Sequence, residues 1–206
     1  MAKFSWRPFL ERFSRELLAD VDVQRELPRR VVKSGWLGFA PASERQIQAL
    51  EKRLNVPLPS SYRTFLATSN GWRDTGPFIW NVWPTSKVAW FCENNQDWID
   101  AYVEPSRGDR SVSDEEYFVY GTLQAPWRFR REYLQTTLQI VAVGDSAVYL
   151  LNPKVQTSSG EWEAWFFANW SPGATRYRSF QELMEHALAD FICLRDGRTR
   201  GSQSLS

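Results

Sequence analysis

The side chains that most often perform catalysis or bind metals are scarce in this sequence. His186 is the only histidine, and Cys92 and Cys193 are the only cysteines. Metal sites built from several histidines, mechanisms that need two histidines and zinc sites with four cysteine ligands are therefore excluded. We expect no metal, and we expect both thiols to be free and buried.

Serine and carboxylate side chains offer only weak candidates for catalysis. Gly144-Asp145-Ser146 contains a serine and an acid, but this composition is first of all that of a turn. Asp97 with Glu161 or Glu163 could provide the two carboxylates of a glycoside hydrolase, yet no spacing selects such a pair. The sequence has no phosphate-binding glycine loop and no dinucleotide-binding motif. We therefore predict a protein without catalytic residues and without a cofactor.

Charge is distributed unevenly along the chain. The net charge is only +1, which argues against direct binding to nucleic acid through the whole surface. Residues 91–120 nevertheless carry eight carboxylates against two arginines, a net charge of −6, so the remaining residues carry +7. Such an acidic surface would attract a basic protein partner. A solvated acidic loop explains the same charges equally well.

Aromatic residues make up 15% of the chain, and tryptophan alone occurs 11 times. Four tryptophans lie in or just before the acidic stretch, and tryptophan inside a polar rim is typical of binding hot spots. A tryptophan at strand spacing, such as Trp80, is more often part of the core. The residues predicted to bind a protein partner are Trp80, Trp83, Trp90, Glu93, Asp97, Trp98, Asp100, Asp114, Glu115 and Glu116.

Residues 127–131 alternate aromatic and cationic side chains, Trp-Arg-Phe-Arg-Arg. Proteins that bind single-stranded nucleic acid use this combination. The run is only five residues long and Glu132 follows it, so cations stacked on a helix surface are the favoured interpretation.

Length and composition indicate one globular domain. The chain has 206 residues, of which 43% are hydrophobic, enough for a core that needs no metal or disulfide. It has no apolar run of about 18 residues and no signal-peptide core, so we expect a cytoplasmic protein without a membrane span. We assign residues 1–34 to a docked N-terminal helix and connector, 35–196 to the domain and 197–206 to a disordered tail. A monomer is favoured.

The helices that must position these residues follow from hydrophobic periodicity and capping signals. Ser43 and Gln46 form a capping box, and Asn70-Gly71 ends the helix that begins after Pro59. The predicted helices cover residues 9–21, 43–55, 60–69, a short stretch within 86–97, and the residues from 179 onward.

The strands follow from short apolar runs bounded by turn residues. A hairpin turn at Gly144 is expected to need a positive backbone angle at that glycine. Residues 104–116 are predicted to form an exposed loop. The predicted strands cover residues 78–83, 117–120, 138–143, 147–151 and 162–168. The order of elements predicts an α+β fold, with helices packed on one face of a mostly antiparallel sheet and an added N-terminal helix.

Four blocks of residues, taken in order, resemble the SUKH superfamily, which is named in part for a fungal regulator of cell-wall synthesis. The first block is Ile47-x-x-Leu50-Glu51-x-x-Leu54, followed by Leu58-Pro59-x-x-Tyr62-x-x-Phe65-Leu66 and Ser69-Asn70-Gly71. The later blocks are residues 82–88, 143–153 and 179–183. The resemblance covers about residues 35–192 and leaves out the N-terminal helix and the long loop after Trp98.

The resemblance implies a function by binding. Bacterial members of the superfamily are mostly immunity proteins that bind and neutralise toxins delivered to neighbouring cells, often nucleases or deaminases. Members differ at the surface that meets each toxin, so no contact residue is carried over. Two alternatives stay open: a carbohydrate-binding protein that uses exposed tryptophans, and a regulatory scaffold like the fungal relatives.

Overall fold

The computed structural model describes residues 4–76, 78–103 and 111–203, without the side chains of residues 103 and 198–203. Five helices precede the first strand, and a long helix ends the described chain. The α-helices are α1 Trp6–Leu18, α2 Val21–Glu26, α3 Arg29–Ser34, α4 Glu44–Leu54, α5 Ser60–Thr68, α6 Gln96–Val103, α7 Asp114–Tyr117 and α8 Phe180–Gln203. Short 3-10 helices occur at Phe91–Glu93, Gly121–Leu123 and Arg131–Thr136.

The first predicted helix ends earlier than its apolar pattern suggests. Leu10, Phe13 and Leu17 are fully buried on α1, whereas Val21 is 57% exposed and begins α2. The Asp20 carboxylate accepts a hydrogen bond from the Asp22 amide and caps α2. This cap lets the chain turn between the two helices.

The predicted capping box on α4 is confirmed. The Ser43 hydroxyl oxygen accepts from the Gln46 amide at 3.3 Å, and the Gln46 side-chain oxygen accepts from the Ser43 amide at 2.8 Å. Ile47, Leu50 and Leu54 are buried on the resulting helix. The next helix, α5, starts directly after Pro59 as expected.

The strands form two antiparallel sheets. The small sheet pairs β1 Trp72–Arg73 with β2 Asn81–Val82. The larger sheet has the order β3-β4-β5-β6-β7, so each strand pairs with its neighbours in sequence. Its strands are β3 Ala89–Trp90, β4 Leu138–Gln139, β5 Ala147–Gln156, β6 Trp162–Ala168 and β7 Ala174–Tyr177.

Helices and loops cover both faces of the large sheet. On β6, Glu163, Trp165 and Phe167 share one face because alternate strand residues point the same way. Phe167 stacks on Trp98 at 5.1 Å and meets Phe129 at 5.9 Å, so residues 91–103 and 111–136 cover this face. The other face packs against α8, which α1 and α5 contact from behind. The α+β fold, the antiparallel sheet and the added N-terminal helix are confirmed, and residues 91–103 and 111–136 add a second layer.

Two local predictions are wrong, and a third is partly right. Residues 117–120 form no strand, because Ser113 caps α7 and Tyr117 ends it. Residues 86–97 contain the predicted short helix, as the 3-10 helix Phe91–Glu93, but also contain β3 and the start of α6. Positive backbone angles in the hairpin fall on Asp145 and Ser146, at 45° and 56°, and not on Gly144. Glycine is required there for space, since a Cβ on it would lie 2.9 Å from the Phe78 carbonyl oxygen.

The end of the chain differs from the predicted tail. The α8 helix continues to Gln203, whereas the sequence predicts disorder from residue 197. Residues 204–206 lie outside the described residues, as do residues 104–110 of the predicted exposed loop.

Candidate protein-binding surface

Six carboxylates that the sequence predicts to bind a partner lie on one side of the large sheet. They are exposed to solvent, and we call them the acidic face: Glu93, Asp97, Asp100, Asp114, Glu115 and Glu116. The 3-10 helix Arg131–Thr136 connects them, because α6 and the 3-10 helix Phe91–Glu93 pack against it and Arg130 at its start pairs with Asp114 on α7. The structure therefore brings these six residues to one layer.

Most of these carboxylates have local partners. Glu116 forms an ion pair with Arg128 at 2.9 Å, and Asp100 accepts a hydrogen bond from the Gln96 side chain at 2.7 Å. Within the described part of the chain, Asp97 and Glu115 make no hydrogen bond or ion pair. Exposed ion pairs contribute little to stability, so the acidic face is free to exchange these partners for those of another protein.

Below the acidic face, a buried carboxylate holds the layer to the sheet. Glu163 on β6 is 1% exposed and accepts hydrogen bonds from the hydroxyl groups of Tyr117 at 2.5 Å and Tyr120 at 2.7 Å. The Trp165 indole and the Asn152 amide also donate to it, at 2.7 and 3.1 Å. A buried charge needs this many donors, because burial without partners costs several kcal/mol.

Arg176 on β7 supplies the countercharge. Its guanidinium is fully buried, lies 3.6 Å from Glu163 and donates to the backbone carbonyl oxygens of Tyr117 and Val119. Burial, and next the Glu163 charge, raises the pKa of Tyr117 and Tyr120, so both hydroxyl groups stay protonated and donate. The cluster fixes the chain after α7 to the sheet and thereby fixes the direction in which the α7 carboxylates point.

Sequence reasoning missed this cluster as a positioning device. Glu163 was considered only as half of a catalytic carboxylate pair. The available signal was a single charged residue inside an otherwise apolar strand, Trp-Glu-Ala-Trp-Phe-Phe-Ala, together with Arg176 in the following strand. A charge at such a position requires a buried partner.

The four predicted tryptophans do not form one group. Trp83, Trp90 and Trp98 are half-buried and pack against the core. Trp80 is 57% exposed, although a tryptophan at strand spacing is more often part of the core, and its role in binding a partner stays a prediction. It lies beside the hairpin turn, where a Cβ on Gly144 would be 3.6 Å from its ring.

Other apolar side chains are exposed next to the acidic face. Phe118 follows α7 directly and is 47% exposed, and Leu123 and Trp127 on the same loop are 84% and 61% exposed. Sequence reasoning overlooked Phe118 and Leu123 and assigned residues 127–131 to a helix surface. Part of that stacking exists, since Arg130 lies 4.7 Å from the centre of the Tyr117 ring. Exposed aromatic residues beside charged ones are typical of interfaces.

The candidates for catalysis lie apart from one another. Asp97 is exposed on α6, Glu163 is buried in the ion cluster, and Glu161 accepts hydrogen bonds from the amide and hydroxyl groups of Ser61. His186 is exposed on α8 beside the Tyr177 ring, at 5.1 Å. This arrangement assembles no carboxylate pair from these residues.

The predicted burial of the two thiols is only half right. Cys92 is half-buried, whereas Cys193 is exposed on α8. Across the described residues, no three or more His, Cys, Asp or Glu side chains are grouped in a way that could hold a metal ion. None of the helices in that part of the chain combines the length and apolar character that a bilayer crossing requires.

Comparison with known proteins identifies the fold family. The model of the SMI1 / KNR4 family (SUKH-1) matches residues 41–186, which include α4 to β7 and the first part of α8. No curated protein matches the chain. The first three helices lie outside the matched range. Because the match spans well over half of the sequence and contains the acidic face with its buried anchor, the chain belongs to the SMI1/KNR4 family (SUKH-1).

Proposed function

We propose that this chain is a non-catalytic immunity protein that captures a cognate secreted toxin of the nuclease or deaminase class in the cytoplasm. Membership of the SMI1/KNR4 family, which includes immunity proteins, supports a function by protein binding. The acidic face is the single observation that carries the proposal further. It offers six exposed carboxylates on a layer fixed by a buried ion cluster.

The acidic face suits a basic partner. Enzymes that act on nucleic acids present positive charge to the phosphates of their substrates, and carboxylates can occupy the same positions. Complementary charge mainly accelerates association and rejects unsuitable partners. Capture of the toxin through this face would block its substrate cleft.

Apolar contacts would complete the interface. Leu123 and Trp127 expose most of their side chains on the loop that follows α7. Large apolar side chains that become desolvated at the centre of an interface supply most of the binding energy. The charges would thus set the association rate, and these side chains would set the lifetime of the complex.

The decisive experiment identifies the partner by pull-down from the source lysate, which a toxin gene beside this one would support, and then measures association of the chain with that toxin domain. In the double variant Asp97→Lys/Glu115→Lys, neither altered side chain has a partner among the described residues, so the fold should be unaffected. We expect association at low salt to slow roughly tenfold or more, because steering depends on the charge of the surface. In about 1 M salt the difference should nearly vanish, since charges are then screened within about 3 Å.

Glu11→Lys/Glu185→Lys is the matched control. Glu11 on α1 and Glu185 on α8 are exposed outside the acidic face, and the total change in charge equals that of the double variant. The control should associate at the wild-type rate. An unchanged rate in the double variant would refute the role of the acidic face, and failure of the chain to protect cells that produce this toxin would refute the immunity function.

A further inference from the structure

A large cavity lies between the N-terminal helices and the chain that links β1 to β2. Its volume is about 880 Å³, within the range of pockets that hold small molecules or peptide side chains. Residues of α2 and of the connector to α3 form one wall. Arg73, Asp74 and Trp80 also line the cavity, as does Phe191 of α8.

The lining has a broad apolar part. Val23, Leu27 and Pro28 from the N-terminal segment line the cavity together with Phe191 and Trp80. Trp80 leaves 57% of its surface exposed although it borders a cavity that could bury it. An exposed tryptophan beside an apolar pocket is a site at which a binding partner gains much contact area.

Carboxylates outnumber cations around this apolar part. Four acidic side chains and two arginines line the cavity, and they are Asp20, Asp22, Glu26, Asp74, Arg25 and Arg73. Arg25 pairs with Asp22 at 2.8 Å. Arg73 donates to the carbonyl oxygens of Leu37, at 2.9 Å, and Gly38, and its guanidinium lies over the Phe39 ring. Both cations are therefore already engaged, and the remaining charge of the cavity is negative.

The cavity combines parts of the chain that the family match separates. Arg73, Asp74 and Trp80 lie within residues 41–186, whereas α2, its connector and Phe191 lie outside them. The lining therefore draws residues from inside and from outside the matched range. A site built in this way can distinguish the partner of this chain from those of other family members.

We propose that this cavity receives a basic peptide segment of the captured protein, with a lysine or arginine against the carboxylates and an apolar side chain against Trp80 and Phe191. This inference rests on the proposed function, because it adds a second contact for the same partner. It is separate from the acidic face in its residues and can be tested separately. The cationic group would gain both ion pairing and contact with the Trp80 ring.

The test titrates the ¹⁵N-labelled full chain with a blocked hexapeptide of alternating lysine and leucine. The readout is the resonance of the Trp80 indole N–H. This resonance is assigned as the indole signal that disappears from the spectrum of the Trp80→Phe variant. We expect this resonance to shift progressively at up to millimolar peptide, the range of a single weak contact. The glutamate–leucine hexapeptide, with the charge reversed, should leave it in place.

Two variants distinguish the cavity from general attraction to an acidic protein. Glu26→Gln removes one carboxylate of the cavity and should lower the affinity for the peptide several-fold, about the effect of one exposed charge pair. Trp170→Ala removes a tryptophan that is 52% exposed but does not line the cavity, and it should have no effect. An unmoved Trp80 resonance, or equal binding by the Glu26→Gln variant, would overturn the proposal.

The two proposals fail in different ways. If the peptide shifts the Trp80 resonance while Asp97→Lys/Glu115→Lys associates with the toxin at the wild-type rate, the cavity proposal is supported and the role of the acidic face is refuted. If Asp97→Lys/Glu115→Lys slows association with the toxin but the peptide leaves the Trp80 resonance unmoved, the proposed function is supported and the cavity proposal is wrong.

Discussion

Asp74 occupies a conformation that few residues adopt. Its φ angle is 58°, in the left-handed region that aspartate and asparagine tolerate better than most side chains. Its carboxylate accepts a hydrogen bond from the Gly76 amide at 2.8 Å and faces the cavity. Burial raises the pKa of Asp74 to about 6, an effect that the Gly76 amide opposes and the Asp20 charge increases. The charged and titratable groups around it are Asp20, Asp22, Arg25, Glu26, Arg73 and Tyr149.

Asp74→Asn should stabilise the protein at neutral pH. The pKa of Asp74 is higher in the folded than in the unfolded chain, so its favourable contribution is present below about pH 4 and is lost as pH rises through about 6. Asparagine keeps the hydrogen bond and the backbone preference but never ionises. Denaturant unfolding at about pH 7.5 should show a gain of about 1–3 kcal/mol.

The same comparison at about pH 4 provides the contrast, because there the carboxyl group is largely protonated in the folded state and the gain should shrink. Asp22→Asn changes an exposed side chain of the same cavity and should alter stability by less than about 0.5 kcal/mol. A gain from Asp74→Asn that is equal at both pH values would show that ionisation is not its cause.

Single residues differ in how far the sequence reveals their role. The exposed carboxylates of α6 and α7 could be predicted, because their local density is visible in the sequence and charges stay at the surface. The exposure of Trp80 and the half-burial of Trp83, Trp90 and Trp98 could not be predicted, because tryptophan is as common in cores as at interfaces. Only the chain packed against each ring decides between the two.

One element, the loop between α7 and the 3-10 helix Arg131–Thr136, covers the free edge of the large sheet. The Gln124 side chain donates to the Arg176 carbonyl oxygen at 2.8 Å and accepts from the Arg176 amide at 2.5 Å. The Pro126 carbonyl oxygen accepts from the Ala174 amide at 3.1 Å. An edge strand with free backbone groups invites pairing with other chains, and this loop satisfies those of β7.

Gln124→Ala should expose this edge. The substitution removes both hydrogen bonds to Arg176 and should cost about 1–2 kcal/mol of folding stability. Amide hydrogen exchange is the direct measurement, because the Arg176 N–H should lose its protection while the N–H of Thr175, which points toward β6, keeps it. Thr122→Ala changes an exposed neighbour and should leave both amides as they are. Unchanged protection at Arg176 would contradict this role of Gln124.

The elements of the family core were predictable where local chemistry determines them. The capping box of α4, the start of α5 after Pro59 and the apolar strand β6 all follow from neighbouring residues. The short elements within residues 86–103 and 111–123 were not predictable, because distant contacts set them: Trp98 packs on Phe167 of β6, and Tyr117 donates to Glu163. Tertiary contacts of this kind override local propensity.

At the scale of the whole molecule, the N-terminal helix is part of the core. Trp6 meets Phe65 of α5 at 5.2 Å and Phe180 of α8 at 5.4 Å, and its indole donates to the Ser61 carbonyl oxygen at 2.9 Å. Arg195 near the end of α8 pairs with Glu16 of α1 at 2.9 Å. The sequence predicts that α1 is amphipathic and docks, but it cannot name the helices that receive it, because they lie far along the chain.

Phe13→Ala tests whether this helix and the family core fold as one unit. Phe13 is fully buried on α1 between Phe9 and Trp72, with ring centres 5.8 and 6.1 Å away. Removing a buried phenylalanine ring leaves a cavity and should cost about 3–5 kcal/mol. Because Trp72 belongs to β1, we expect helix content and tryptophan fluorescence to be lost in one coincident transition at lower denaturant concentration.

Phe9→Ala provides the control. Phe9 lies on the same helix but is only partly buried, so its substitution should reduce folding stability by less than Phe13→Ala does. The N-terminal helices form one wall of the cavity beside Trp80, so their cooperative folding would also make that wall a permanent part of the molecule. If Phe13→Ala instead melts helical signal first and leaves the tryptophan transition where it was, α1 would be an independent flank. The cavity would then form only when that flank docks, and peptide binding should weaken in this variant in proportion to the undocked fraction.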